Sequence, residues 1–354
     1  MQYCIRGGGI CINKLMHELG LVLGAGLVTW ILCSPMAWLL RYGGFWDQPN
    51  ERSSHDAPTL RGGGVAPLAV IFLTVLFWVY PSRATVGGVW LIGLILLSAI
   101  NLWDDRRGLA VKWRLLAQFA AAAGVVWALG SGEWSGLTMA VLVFGFVAFM
   151  NFINFMDGIN GLVAGQVALT ALGVALFTGE SDGMVTVISW IITGAMLGFL
   201  PFNFPKARIF LGDVGSIGLG FCLGVLGLMT SKEMGAQAST GWLLVLPLYF
   251  FMEGTIAVLR RWRAGAQWWT PHREHFYQRL IRSGWSHKRV SGLLWMIQIV
   301  VVMFLYWGHD RVPAVWGWLL CGLVWAGYSF TLNAFSLALE RVQNNTCHFC
   351  GRPI

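Results

Sequence analysis

The sequence predicts an all-α, polytopic membrane protein of about eleven transmembrane helices. Three observations carry that prediction. Of 354 residues, 56% are apolar and only 11% charged, where soluble domains carry about 25% charged residues. Mean hydropathy is +0.65. The chain also holds 45 Gly and 20 Trp; Gly is frequent in membrane helices and Trp collects at membrane interfaces. Together these exclude a soluble globule, a disulfide scaffold and a disordered chain.

Taken in order, the apolar runs fall near 19–40, 65–80, 86–103, 113–129, 137–155, 162–177, 184–200, 214–229, 241–259, 290–307 and 312–339. The first, Leu19 to Leu40, is too long for a signal-peptide core and lacks a cleavage site, so no cleaved leader is expected. Tails 1–18 and 340–354 flank these spans, and a single integral-membrane domain covers 1–354, with no internal repeat. Pro and Gly fall mainly at the connections, as at Pro49, Pro58, Gly62–Gly64, Pro201, Pro205 and Pro271.

The connections alternate in charge. Loops 41–64, 104–114, 201–213 and 260–289 carry seventeen basic residues, whereas the opposite loops carry only Arg83, Lys232 and Arg311. By the positive-inside rule the basic loops are cytoplasmic. The net charge of +8 therefore reports topology, and nucleic acid is not an expected partner. Cys33, Cys222 and Cys321 lie inside apolar runs, the other Cys in the tails, so no disulfide framework is legible. Cys347-His-Phe-Cys350 is half of a zinc site and reads as tail.

Sixteen acids are few enough to place individually. Asp104 and Asp105 end the third span, Asp157 the fifth within Asn151-Phe-Ile-Asn154-Phe-Met-Asp157-Gly-Ile-Asn160-Gly-Leu, and Asp213 precedes the eighth in Phe210-Leu-Gly-Asp213-Val-Gly-Ser216. All reach the same face. One acid at a helix end is ordinarily a solvated cap. Four at one depth, flanked by Asn and Gly, point instead to hard oxygen ligands for Mg2+ or Mn2+ beside a phosphate. Arg106, Arg107, Lys112, Arg114, Lys206 and Arg208 are interspersed with them and are expected to share that site. An active site at the cytoplasmic face follows. In the last large loop, His272, Arg273 and His275 suit phosphate contact better than zinc, since no third metal ligand accompanies them. Glu253, alone inside the ninth span, either faces the site or pairs with a neighbouring helix; it motivates the competing reading, an ion-coupled transporter. Gly62–Gly64 lacks the Gly-Lys-Ser/Thr of a nucleotide-binding P-loop.

The Asp104-Asp105 pair, the Asn-x-x-Asn-x-x-Asp-Gly-x-x-Gly-Leu run, the Phe-Leu-Gly-Asp-x-Gly-Ser run and the late His loop occur in one order. That order resembles the polyprenyl-phosphate N-acetylhexosamine-1-phosphate transferases (glycosyltransferase family 4), over roughly residues 20–340. Arg52-Ser-Ser-His55 with Pro58-Thr59-Leu-Arg61-Gly-Gly resembles the family's first cytoplasmic loop. The resemblance implies transfer of a phosphosugar from a UDP-N-acetyl sugar to polyprenyl phosphate, with UMP released, in a bacterial inner membrane. It implies Mg2+ (or Mn2+) on Asp213 and Asn154, and substrate contacts from Arg61, Arg114, Asp157, Asn160 and Arg273. Asp104 or Asp105 would deprotonate the lipid phosphate, with His272 and His275 as further catalytic groups. The bilayer and the two substrates are the implied partners, and a homodimer is compatible. The late loop departs from the three consecutive His of the peptidoglycan enzyme and from the His-Ile-His-His of the common-antigen type. It is closer to the O-antigen-initiating branch that uses 6-deoxy-N-acetylhexosamines.

Overall fold

A computed structural model describes residues 8–49, 57–179, 183–234, 246–265 and 274–308, with isolated positions between 315 and 334. Its helices are α1 (Gly8–Tyr42), α2 (Val65–Thr74, continued by a π turn over Val75–Val79), α3 (Ala84–Arg107), α4 (Val111–Gly130), α5 (Gly136–Met156), α6 (Leu162–Thr178), α7 (Met184–Asn203), α8 (Gly212–Met234), α9 (Leu248–Arg263), α10 (Phe276–Arg282) and α11 (His287–Gly308). Two-residue strands β1 (Trp46–Asp47) and β2 (Thr59–Leu60) interrupt the first loop. The fold is all-α and polytopic, as the composition predicts.

Seven helices are long and apolar enough to cross a membrane: α1, α3, α4, α5, α7, α8 and α11. Three of the predicted spans are shorter. The α2 segment, Val65–Val79, and α6 are apolar but span only about 22 and 25 Å at 1.5 Å per residue. The ninth span is represented by α9, which ends in Arg260, Arg261 and Arg263 and begins beyond the start of the apolar run. Most of the eleventh, 312–339, lies outside the described residues.

Local signals set the helix ends. Ser135 caps α5, its hydroxyl accepting the Thr138 N–H at 3.1 Å. The α3 helix stops at Gly108, in the left-handed region at φ +70°. Phe204 leaves α7 in an extended conformation because Pro205 follows. The central element is α8, with 78% of its spanning window buried, against 17% for α1; α1 is therefore peripheral. Around α8 pack α3 and α5, with Phe146 stacked on Phe221 at 5.6 Å and Trp90, Met150 and Ile153 fully buried. α1 lies along α7 so closely that a Cβ on Gly198 would stand 2.1 Å from the Gly26 carbonyl oxygen, the small-residue contact common between membrane helices.

The bundle has two chemically different ends. Arg83–Glu233 (2.8 Å) and Lys232–Glu133 (2.9 Å) pair loops at one of them. The ends of α3, α5 and α7 and the starts of α4 and α8 gather at the other, where the long basic loops lie. This is the alternation expected from the loop charges.

Candidate active site

The site begins with backbone pairing in the first loop. Trp46 and Asp47 lie antiparallel to Leu60 and Thr59. Leu60 then forms a parallel bridge to Ile209. The Phe210 N–H donates to the Leu60 carbonyl at 2.7 Å, Gly63 N–H to Phe210 O at 2.9 Å and Gly64 N–H to Leu211 O at 2.9 Å. The run from Leu60 to Gly64 is thus laid beside Ile209 to Leu211, which brings Arg61 to Asp213, 152 positions away. The glycines permit that approach: a Cβ on Gly64 would stand 2.1 Å from the Gly215 Cα, and Gly212 turns into α8 at φ +76°. Gly62–Gly64 is a packing element between α2 and α8.

Side chains complete the junction as a ladder of alternating charge. Arg61 pairs through Nε with Asp105 at 2.7 Å and through Nη2 with Asp213 Oδ1 at 2.6 Å. Arg114 Nη1 reaches Asp213 Oδ2 at 2.9 Å and also pairs with Asp104. The two neighbouring acids differ in environment. Asp105 has no exposed side-chain surface and caps α8, accepting the N–H groups of Asp213 (3.0 Å) and Val214 (3.2 Å). A carboxylate there is favoured by the free amides and dipole of a helix start. Asp104 accepts the Leu109 N–H at 2.6 Å and keeps 10% of its side chain exposed. Burial opposes the charge on Arg61, but Asp105 and Asp213 outweigh it and hold the guanidinium above its usual range.

Asp157 terminates α5 and accepts no hydrogen bond from the described residues. Burial first, then the negative charges of Asp213 and Asp105, push its carboxyl up to about 7, with Arg61 acting in the opposite direction. Asn154 stands one turn earlier, its carbonyl accepting the Asp157 N–H at 3.1 Å. Asn160 holds the turn in place: its Nδ2 donates to Pro205 O (3.1 Å), its N–H to His287 Nδ1 (3.3 Å), and its carbonyl accepts Ser291 Oγ (2.8 Å). Asn203 adds a second tie, accepting the Gly161 N–H at 2.9 Å and donating to Ile209 O at 3.0 Å.

The family model described as Glycosyl transferase family 4 matches residues 88–231. A decaprenyl-phosphate N-acetylglucosaminephosphotransferase of Mycobacterium tuberculosis is 31% identical, covering 82% of this chain and 81% of its own. The chain belongs to glycosyl transferase family 4. A probable undecaprenyl-phosphate N-acetylglucosaminyl 1-phosphate transferase of Bacillus subtilis is 27% identical over 82% of this chain and 84% of its own. A phospho-N-acetylmuramoyl-pentapeptide-transferase of Levilactobacillus brevis is 27% identical over 73% and 85%.

The family's acids converge as the motifs imply, and among the described residues the cations paired with them are Arg61 and Arg114, both implied by the resemblance. The expectation that Arg106, Arg107, Lys112 and Arg208 share the site is corrected. Arg106 lies over the Phe45 ring, Arg107 over Trp103 and Lys112 over Trp113, at 5.4–5.7 Å, and Arg208 lines a separate concavity. In this family 4 member His272 and Arg273 lie outside the described residues. His275 is described: at the start of α10 it is 4% exposed, its ring 6.2 Å from Phe155 and 5.9 Å from Tyr277. Tyr277 donates its hydroxyl to the Phe155 carbonyl at 2.9 Å, so α10 is fastened to the end of α5. Glu253 supplies the other fastening, accepting the Tyr277 N–H at 3.3 Å. It is a helix-to-helix tie, the second of the two readings its sequence position allowed. Sequence reasoning missed Asn203 and Tyr277. For Asn203 the signal was an amide between two prolines, in Pro201-Phe-Asn203-Phe-Pro205.

Among the described residues no three acidic, His or Cys side chains stand close enough to hold a metal by themselves. The donor chemistry nonetheless fits a hard divalent cation. Four carboxylates, Asp104, Asp105, Asp157 and Asp213, face two guanidiniums. The Asp157 and Asn154 side-chain oxygens accept no hydrogen bond from the described residues. Mg2+ commonly takes one or two carboxylates and completes its shell with phosphate and water.

Four outcomes follow from this geometry. Asp105→Asn should lower stability by about 2–3 kcal/mol, since it weakens two amide bonds and an ion pair at a fully buried carboxylate. Asp104→Asn should melt within a few degrees of wild type while losing activity; thermal unfolding in detergent separates the two. Gly64→Ala should cost about 1–3 kcal/mol through overpacking and reduce turnover by displacing Arg61, seen as a lower melting temperature together with lost activity. Asp157 titrates near 7 folded and near 4 unfolded. The native state therefore binds the extra proton between those values, and its stability falls as pH rises from 4 to 7. Melting in EDTA should show that slope in wild type and a flatter one in Asp157→Asn.

Proposed function

We propose that the protein transfers an N-acetylhexosamine 1-phosphate from a UDP-sugar to polyprenyl phosphate, releasing UMP and leaving a polyprenyl-diphospho-sugar in the bilayer. The observation that carries this reading is the Asp105–Arg61–Asp213–Arg114–Asp104 ladder at one end of an apolar bundle. A charged site at the mouth of membrane helices can receive a phosphate from the lipid side and a soluble nucleotide sugar from the water side. The names of the family 4 relatives agree with a polyprenyl-phosphate acceptor. The site faces the cytoplasm of a bacterial inner membrane by the distribution of basic loops.

Phosphoryl transfer depends on positioning and charge neutralisation more than on covalent chemistry. Arg61 and Arg114 each hold two carboxylates here, and a guanidinium has further N–H donors whose geometry suits phosphate oxygens. Asp104 is the more accessible of the pair. Asp105 has no exposed side-chain surface, whereas Asp104, though bonded to the Leu109 N–H and to Arg114, keeps 10% of its side chain open to an incoming phosphate. An oxygen of the lipid phosphate, its proton passed to Asp104, attacks the sugar-proximal phosphorus; the bond to the UMP oxygen breaks and UMP leaves. The second pKa of a phosphate monoester, near 6, makes that proton transfer undemanding. Asp213 and Asn154 would hold Mg2+ (Mn2+ in substitution), which would neutralise charge on the donor diphosphate. Asp157 and the Asn160 turn line the nucleotide side, and His272, Arg273 and His275 belong to the loop that meets the donor. The donor is a UDP-N-acetylhexosamine, and the late-loop pattern favours a 6-deoxy sugar and the start of O-antigen or a related lipid-linked glycan.

Purified protein incubated with radiolabelled UDP-sugar, polyprenyl phosphate and Mg2+ should move label into organic solvent. A panel of UDP-N-acetylglucosamine and 6-deoxy UDP-N-acetylhexosamines identifies the donor. Asp213→Asn should reduce transfer about a hundredfold or more and shift the Mg2+ optimum upward. Label that stays aqueous with every donor overturns the transferase reading, and near-normal turnover of Asp213→Asn overturns the metal assignment.

A further inference from the structure

Between the ends of α1 and α7 lies a concavity of about 250 Å³, none of whose lining residues belongs to the acidic ladder. Its walls include Ala37, Trp38, Phe202 and Ile209, and two guanidiniums, Arg41 and Arg208, line it as well. Neither guanidinium makes a hydrogen bond or ion pair with the described residues. Arg61 and Arg114 are engaged by carboxylates, and Arg106 and Arg107 lie over aromatic rings. Arg41 and Arg208 are therefore two like charges lining one depression with no acidic partner among the described residues. An anion there would be attracted by both.

The surroundings narrow the kind of anion. Helix α1 is the most peripheral of the candidate spans. Near its end, Trp38 and Tyr42 stack at 5.9 Å and are 64% and 87% exposed. Trp103 and Trp113, at the same end of the bundle, are also exposed. Exposed Trp and Tyr at the close of apolar helices mark the head-group layer. The concavity thus sits where lipid phosphates lie, with cations for the phosphate and apolar walls for the glycerol and upper acyl carbons; basic pockets between membrane helices are suited to anionic head groups. Its walls are preformed. Gly26 and Gly198 hold α1 against α7, while Ile209 is fixed by Asn203 and by its bridge to Leu60.

We propose that this concavity binds the phosphate of an anionic phospholipid of the surrounding bilayer, at a place separate from the reacting phosphates. Leu40, Leu60 and Ile209 form one apolar cluster with Ala37 and Phe202. Occupancy therefore bears on the strand that carries Arg61.

Native mass spectrometry of the purified full-length protein tests the proposal, with phosphatidylglycerol, phosphatidylcholine, polyprenyl phosphate and inorganic phosphate as separate probes. Wild type should retain phosphatidylglycerol in preference to phosphatidylcholine. Arg41→Gln/Arg208→Gln should bind phosphatidylglycerol at least about tenfold more weakly, a loss in the range of a charge-assisted contact, and should bind polyprenyl phosphate as wild type does. Melting in neutral lipid checks that the double variant is folded; if it melts early, Arg208→Gln alone, at an exposed side chain, gives the same comparison. Equal retention of phosphatidylglycerol by wild type and variant overturns the proposal. So does selective loss of polyprenyl phosphate, which would assign the concavity to the carrier. Displacement of phosphatidylglycerol by millimolar inorganic phosphate would mark a free-phosphate site and overturn it equally.

Discussion

The pairing of Arg61 with Asp105 and Asp213 is the constraint on which the rest of the site depends. It joins the first loop, the end of α3 and the start of α8 at 2.6–2.7 Å. Each partner is held by something else as well. Arg61 is carried by a strand laid against Ile209, and Asp105 is seated on the first amides of α8. An isolated carboxylate at this depth would cost several kcal/mol in lost hydration. Here the helix start and the guanidinium together offset part of that cost for a side chain with no exposed surface.

A membrane helix satisfies its own backbone, and the polar side chains inside this bundle follow the same economy. Gln118 accepts from Asn151 at 2.6 Å, and Gln166 donates to the Leu294 carbonyl at 3.0 Å. Thr74, Ser189, Thr193 and Thr230 return their hydroxyls to carbonyls one turn back. What sets the ladder end apart is charge: three carboxylates and two guanidiniums are paired there within 3 Å. That concentration separates an acidic site from the solvated helix caps it could have been. Glu253, apart from it, ties α9 to α10 through one oxygen.

The helices were legible because a 3.6-residue backbone in lipid needs long apolar runs, and such runs survive reading without any partner. The convergence of Asp104, Asp105, Asp157 and Asp213 was legible too, because alternating topology puts every second loop at the same end. Which cations would meet them was legible only through the family resemblance, which implies Arg61 and Arg114; sequence proximity alone offered others. Arg106, Arg107 and Lys112 are neighbours of the acids in sequence, yet helix geometry turns them onto Phe45, Trp103 and Trp113. Arg61 arrives instead through one β-bridge, Leu60 to Ile209, and the backbone bonds beside it, between segments about 150 residues apart. No periodicity records so short a strand. Asn203 and Tyr277 were hidden for a related reason: each acts on a backbone atom of another segment, and a backbone atom leaves no trace in the residue alphabet.

The same short pairing explains why Asp104 and Asp105, adjacent and chemically identical, do different work. Successive helical residues diverge by about 100°, so at the end of α3 one acid must turn toward α8 when the other turns toward α4. Gly64 and Gly212 let the α2 and α8 backbones close up under Arg61, which makes the α8 side fully enclosed and commits Asp105 to capping. The α4 side is left partly open, and there Asp104 meets Arg114, which like Arg61 also reaches Asp213. One carboxylate is thus enclosed and the other partly open according to which helix each faces. A Cβ at Gly64 would act on that division through the backbone, without touching either acid.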